Sequence, residues 1–139
     1  MKKISKHISY KEAVNSNYAK KHNIENEPDD EQLENMKLIA KEVFEPLREW
    51  VGGPIKVNSF FRSADLNSGI NGSKTSSHLK GQALDITSMG KKTNLEMFYW
   101  IKDNLEFDQL IWEYGRINPK WLHVSFNSVK NRKQVLKIK

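Results

Sequence analysis

Between Asp30 and Trp50 the apolar residues Leu33, Met36, Ala40, Val43, Leu47 and Trp50 recur every three or four positions, the spacing of one face of an α-helix. Acidic residues crowd the start of this segment and Arg48 lies near its end, which suits the helix dipole. Pro46 sits inside the pattern and predicts a kink or a separate last turn. Gly52-Gly53-Pro54 ends it. Two shorter helices are signalled by a hydroxyl residue three positions before a glutamate. Ser9 with Glu12 predicts a short helix from Tyr10, with Ala13, Val14, Tyr18 and Ala19 as a weak apolar face. Thr93 with Glu96 predicts a helix with Leu95, Phe98, Tyr99, Ile101 and Leu105 available for the core. Ser63 to Ile70 reads as one more short helix.

Strands are marked by apolar alternation. Ile55 to Phe61 puts Ile55, Val57, Ser59 and Phe61 on one face. Ala83-Leu84-Asp85-Ile86 reads as a brief buried strand. Gln109 to Glu113 and Trp121 to Phe126 predict a hairpin, closed by the turn from Tyr114 to Lys120. In the tail, Val135, Leu136 and Ile138 predict an edge strand guarded by lysines. The expected fold is α+β, a small antiparallel sheet with helices on one side. Its expected organisation is one domain over 1–139: an arm over 1–28, a core over 29–130 and a basic tail over 131–139. The arm either caps the core or adds a wall to a cleft.

Composition narrows the picture in three ways. The 139 residues suit one modest core. With no cysteine, disulfide frameworks and thiolate metal sites are excluded. The formal net charge of +6 favours anionic partners. No run of 18 apolar residues is present, so no membrane-spanning helix is expected. The basic start has no apolar stretch after it, so no secretory leader is expected and a target outside the membrane would be reached by another route. The basic tail has no interleaved aromatic platform, so a nucleic-acid partner is not expected. The chain is expected to act as a monomer.

The candidate chemistry lies in Ser76-Ser77-His78-Leu79-Lys80-Gly81-Gln82-Ala83-Leu84-Asp85-Ile86 and in Trp121-Leu122-His123. His78, Asp85 and His123 form a ligand set for one zinc ion, with a fourth position left for water. A seven-residue gap between His78 and Asp85 does not suit one face of a helix. It suits a loop that carries His78 and then enters a strand carrying Asp85, with Gly81 permitting the tight turn. Taken alone, this spacing leaves isolated surface or core histidines as an alternative.

The segments Ser76-x-His78-x-x-Gly81-x-Ala83-x-Asp85 and Trp121-x-His123 resemble the zinc peptidases of the M15 family. That family includes D-alanyl-D-alanine carboxypeptidases and dipeptidases, and phage L-alanyl-D-glutamate endolysins. Its metal site and fold are similar to those of the hedgehog signalling domain. The resemblance takes in Asn58-Ser59-Phe60-Phe61-Arg62-Ser63, Leu66-Asn67 and Gly72-Ser73-Lys74-Thr75-Ser76, and covers roughly residues 30 to 130. It implies zinc at His78, Asp85 and His123, and a substrate carboxylate or carbonyl held by Arg62, whose planar fork matches carboxylate. The alternative for Arg62 is a solvated surface side chain.

Peptide hydrolysis at such a metal needs a carboxylate to take a proton as water attacks. The family usually carries an acid three residues before the second histidine, and here that slot holds Lys120. An ammonium cannot be the base. Ile111-Trp112-Glu113 resembles the strand ending that supplies a glutamate in hedgehog domains, so Glu113 is the expected catalytic base and Asp108 the next candidate. Trp121 either lines the cleft as a substrate-binding wall or belongs to the core. Ser76 fixes its loop or contacts substrate. His7 and His22 are given no role. The implied activity is zinc-dependent hydrolysis of the peptide stem of peptidoglycan, at either a D-Ala-D-Ala or an L-Ala-D-Glu bond. The alternative is a zinc-holding binding module without catalysis, and Lys120 is its main support.

Overall fold

A computed structural model describes residues 3–138. A two-stranded hairpin, β1 (Lys3–Ser5) and β2 (Ile8–Ser9), leads directly into the short helices α1 (Tyr10–Ala13) and α2 (Asn17–Lys21). The hairpin was not anticipated. It buries Ile4 and Ile8 in the main core, and Glu45 accepts hydrogen bonds at its turn from Ser5 Oγ at 2.5 Å and the His7 backbone N–H at 2.8 Å. His7 Nδ1 lies 2.6 Å from the same carboxylate, so His7 has a place in the hairpin latch.

The long helical segment is three pieces. α3 (Asp30–Ile39) opens on a capping box between Asp29 and Gln32. A π-helical turn follows at Ala40–Phe44, and α4 (Glu45–Val51) ends on Gly52, at φ +72°. Pro46 explains the division. It has no N–H for the preceding turn and its ring would press on that turn's carbonyls. The ladder widens instead, and the Glu45 N–H reaches back five residues to the Ala40 carbonyl.

The five-stranded sheet has the order β3 (Ile55–Ser59), β4 (Ala83–Ser88), β6 (Trp121–Ser125), β5 (Gln109–Glu113), β7 (Gln134–Ile138). The first four strands are antiparallel, as expected; the tail strand β7 lies at the edge but pairs with β5 in parallel. Alternation sends Leu84, Ile86, Leu110, Trp112, Leu122 and Val124 to one face, where all are buried. α6 (Asn94–Asn104) packs on β4, β5 and β6 from that side, and α4 packs on α6. α6 turns Met97, Phe98 and Ile101 inward, whereas Tyr99, expected to be available for the core, is exposed. Full burial of a ring such as Phe98 contributes about 1.5–3 kcal/mol.

β3 is shorter than expected. Its register shifts between Val57 and Ser59, and the chain leaves the sheet before Phe60. The bulge breaks the alternation, so Phe60 and Phe61 are both buried although they are adjacent. Ser63 then caps α5 (Ala64–Gly69), accepting from the Leu66 N–H. Among the described residues, no helix is long and apolar enough to cross a membrane.

Candidate functional site

Opposite the helices, one row of register partners crosses the whole sheet: Ser59, Asp85, His123, Ile111 and Leu136. Asp85 and His123 are therefore neighbours, and His123 Nδ1 lies 2.9 Å from Asp85 Oδ1. His78 arrives from a separate element, a 3₁₀ turn at Ser77–Lys80 just before β4. Its Nε2 lies 3.2 Å from Asp85 Oδ2. The ligand atoms of His78, Asp85 and His123 all lie within 4.8 Å of one another.

The hydrogen bonding of His78 shows what this cluster is built for. Its Nδ1 is 2.7 Å from the Phe60 carbonyl oxygen, which can only accept, so the ring proton sits on Nδ1. In the neutral ring Nε2 then carries a lone pair. It is buried without a hydrogen-bond partner, and the nearest charged group is another electron-pair donor, Asp85. Two facing acceptors are unfavourable unless a cation lies between them. Burial alone would raise the Asp85 carboxyl, but the adjoining His123 and His78 imidazoles outweigh it and hold the group well below the ordinary carboxylate range. A divalent ion fits this donor set of two imidazoles and a carboxylate, and the Phe60 carbonyl behind His78 is the outer partner that fixes a ligating histidine's tautomer.

The turn carrying His78 is held from the helix side. Gln32 Nε2 donates to the Leu79 carbonyl and Asn35 Nδ2 to the Lys80 carbonyl, both at 3.0 Å. Thus α3 orients the site as well as packing the core. Ser76 Oγ accepts from the His78 N–H at 3.2 Å, the loop-fixing role expected of it. Gly81 closes the turn at φ +72°, and a Cβ there would stand 2.6 Å from the Gln32 carbonyl oxygen. We expect Gly81→Ala to cost about 1–2 kcal/mol from the left-handed backbone alone. Thermal unfolding measures this, and metal titration should show weaker binding because the turn presenting His78 is displaced.

A cleft of about 420 Å³ surrounds the cluster and brings together Arg62, Ser76, His78, Asp85, Glu113, Trp121 and His123. Glu113 pairs with Trp121 across the hairpin, one row along from His123, about 7 Å at strand spacing. Burial, then the nearby Asp85 charge, push the Glu113 carboxyl above its ordinary value; His123, His78 and the Trp121 indole pull less strongly the other way. The Arg62 guanidinium reaches Ser59 Oγ at 3.3 Å, Asn67 Oδ1 at 3.4 Å and Asp85 Oδ2 at 3.4 Å. Three of its five N–H groups are so engaged, which leaves two for a ligand. Trp121 is half-buried at the cleft wall, and the Tyr114 ring lies 5.3 Å from it.

The other acid candidates stand elsewhere. Asp108 is held by Arg132, with Nε at 2.9 Å and Nη2 at 3.0 Å, and does not line the cleft. Lys120 is exposed, and its N–H turns back onto the Glu113 and Tyr114 carbonyls. His22 stacks on Tyr18 in the arm.

Two asparagines complete the site. Asn26, in the arm, donates to the Phe61 carbonyl at 3.2 Å and accepts from the Ser63 N–H at 2.7 Å, gripping the backbone on both sides of Arg62. The arm thus braces the Arg62 side of the cleft. Asn67, buried, accepts from Arg62 and donates to the Ser73 carbonyl at 2.8 Å. Asn67 fell within a segment singled out in the sequence, but Asn26 sits in a polar run with no local signal.

No curated protein matches the chain. The family model described as Peptidase M15 matches residues 6–125 and so takes in β2, the His78 turn, Asp85, Glu113 and His123. With most of its length matched and the cluster assembled at one cleft, the chain belongs to the M15 family of peptidases.

Proposed function

We propose that the protein is a zinc-dependent peptidase that hydrolyses the peptide stem of peptidoglycan. The observation that carries this reading is the buried, unpartnered Nε2 of His78, aimed at Asp85 and His123 in a cleft that also holds Glu113 and Arg62. A zinc ion held by His78, Asp85 and His123 would supply Lewis acidity at the scissile carbonyl and acidify the attacking water. Glu113 does the proton work. Its carboxylate takes a proton from the water and returns it to the departing amine, so one side chain serves as base and then acid. Arg62 offers its two unengaged N–H groups to a substrate carboxylate or carbonyl. Trp121 closes one wall against water. With a divalent ion present, the charges of Arg62 and the metal outnumber those of Asp85 and Glu113, which favours an anionic stem peptide.

The test is digestion of purified muropeptides by zinc-loaded and chelated protein, with new amino groups counted. Release by the loaded protein and none after chelation is the expected result. Loaded protein that binds wall material yet frees no amino groups would point to the non-catalytic binding module instead. Mass analysis of the fragments separates a D-Ala-D-Ala from an L-Ala-D-Glu bond.

A further inference from the structure

The open face of the sheet does not stop at β5, the last strand that lines the cleft. In the row that runs from Asp85 and His123 through Ile111, the next residue is Leu136 of β7; in the neighbouring row Glu113 is followed by Ile138. Register partners share a face, so Leu136 and Ile138 stand on the same side of the sheet as the metal cluster. The intervening residues turn away: Val135 packs on the core, and the Lys137 ammonium sits 4.6 Å from the Trp112 ring centre on the helix side. Leu136 and Ile138 remain 37% and 40% exposed, large apolar side chains on an open face beside a polar cleft.

The strand that carries them is pinned at both ends. Asp108 accepts from the Arg132 backbone N–H at 3.1 Å as well as from its guanidinium, and the Gln134 N–H donates to the Asp108 carbonyl at 3.0 Å. At the other end the Tyr114 N–H donates to the Ile138 carbonyl at 2.6 Å, with Tyr114 in a left-handed conformation at φ +59°. A bulky residue rarely adopts that conformation. Gln109 and Gln134 join the two strands at their start through side chains 2.7 Å apart. The family match ends at residue 125, so β7 lies outside the matched residues.

We propose that β7 extends the substrate floor, and that Leu136 and Ile138, with Ile111, form a shelf for an apolar side chain of an extended peptide. Two strand spacings separate Leu136 from His123, about 10 Å, or roughly three residues of extended chain. The occupant is therefore a peptide of at least four or five residues whose distal side chain lies on the shelf while its scissile bond sits at the metal cluster. A free dipeptide cannot reach both. This deepens the peptidoglycan reading and rests on it: the preferred substrate is an intact stem rather than a terminal dipeptide.

The experiment uses zinc-loaded Glu113→Gln protein, so that peptide is bound and not consumed, with isotopically labelled isoleucine and leucine methyl groups. The five-residue stem peptide is titrated in parallel with the D-Ala-D-Ala and L-Ala-D-Glu dipeptides. The stem peptide should shift the Ile111, Leu136 and Ile138 methyl signals, and the dipeptides should leave those of Leu136 and Ile138 in place. With Glu113 restored, the double substitution Leu136→Ser with Ile138→Ser should reduce the ratio of kcat/KM for stem peptide over dipeptide by about tenfold or more, the effect of losing a small apolar contact at a pocket. Zinc content and melting temperature report that the fold is intact. If the stem peptide shifts Ile111 and leaves Leu136 and Ile138 unmoved, or the ratio survives the double substitution, the shelf is wrong and the peptidase reading stands. If no stem peptide moves any cleft methyl group, the peptidoglycan reading itself fails and the shelf falls with it.

Discussion

Glu113→Gln should keep its metal and lose turnover, with kcat down about 10²–10⁴-fold, the range for removing a positioned general acid–base. Glutamine preserves the shape of the side chain and its contact with Trp121 but cannot hold a proton for transfer. Metal content by elemental analysis and a muropeptide assay on the same sample separate the two roles. The pH dependence has a definite sign. In the metal-free protein, burial and the Asp85 charge raise the Glu113 carboxyl. Activity that needs it ionised falls as pH drops through the titration of Glu113 in the zinc-loaded protein, and this acid limb should vanish in Glu113→Gln. Stability moves the other way. A carboxyl raised by folding contributes stability that is fully present below its unfolded value and is lost as pH rises through its folded value. In chelator at neutral pH the Gln variant should thus melt no lower than the wild type, and a small rise is expected. Full activity in the Gln variant would remove Glu113 from the mechanism. Asp108 would be a poor replacement, because Arg132 already engages both of its oxygens.

The second large effect is on metal binding. His78→Ala and His123→Ala should each weaken zinc binding by more than the roughly 10–100-fold that follows loss of an outer partner. The two differ in what else they disturb. His78 is 2% exposed and its Nδ1 satisfies the Phe60 carbonyl, so its removal leaves a cavity and an unpaired buried acceptor, the latter costing about 1–3 kcal/mol. His123 is more accessible and lies on a strand held by both neighbours, so its loss should be felt mainly at the metal. Competitive titration with a coloured chelator measures the affinities, and melting in excess chelator isolates the structural cost. Equal zinc affinity in wild type and His123→Ala would show that the ion, if bound, is held elsewhere.

The parts of this molecule that could be read from the chain are those encoded locally. Ser9, Ser63 and Thr93 cap helices where their hydroxyls fall three residues before an N–H they can reach. The strands carrying Asp85, Glu113 and His123 were also legible, and their two-residue period puts these three on the open face and Leu84, Trp112 and Val124 on the closed one. What escaped depends on long-range partners. Asn26 acts on residues 35 and 37 positions away, through backbone groups that carry no sequence signature. β7 was legible as an edge strand, yet its direction is set by the anchorage of Arg132 on Asp108, a pairing across 24 residues. The alternation through Ile55 to Phe61 misled because a bulge near Asn58 resets the faces, burying Phe60 and freeing its carbonyl for His78. The Pro46 anomaly was visible as a kink or a separate last turn, but the widened turn at Ala40–Phe44 that accommodates it was not anticipated.

The most direct test is the metal content of the purified chain, measured alongside His123→Ala prepared in the same way. The account requires one zinc per wild-type chain and its loss from the variant. Protein that folds fully, takes up no divalent ion, and leaves the imidazole of His78 without a partner would contradict it.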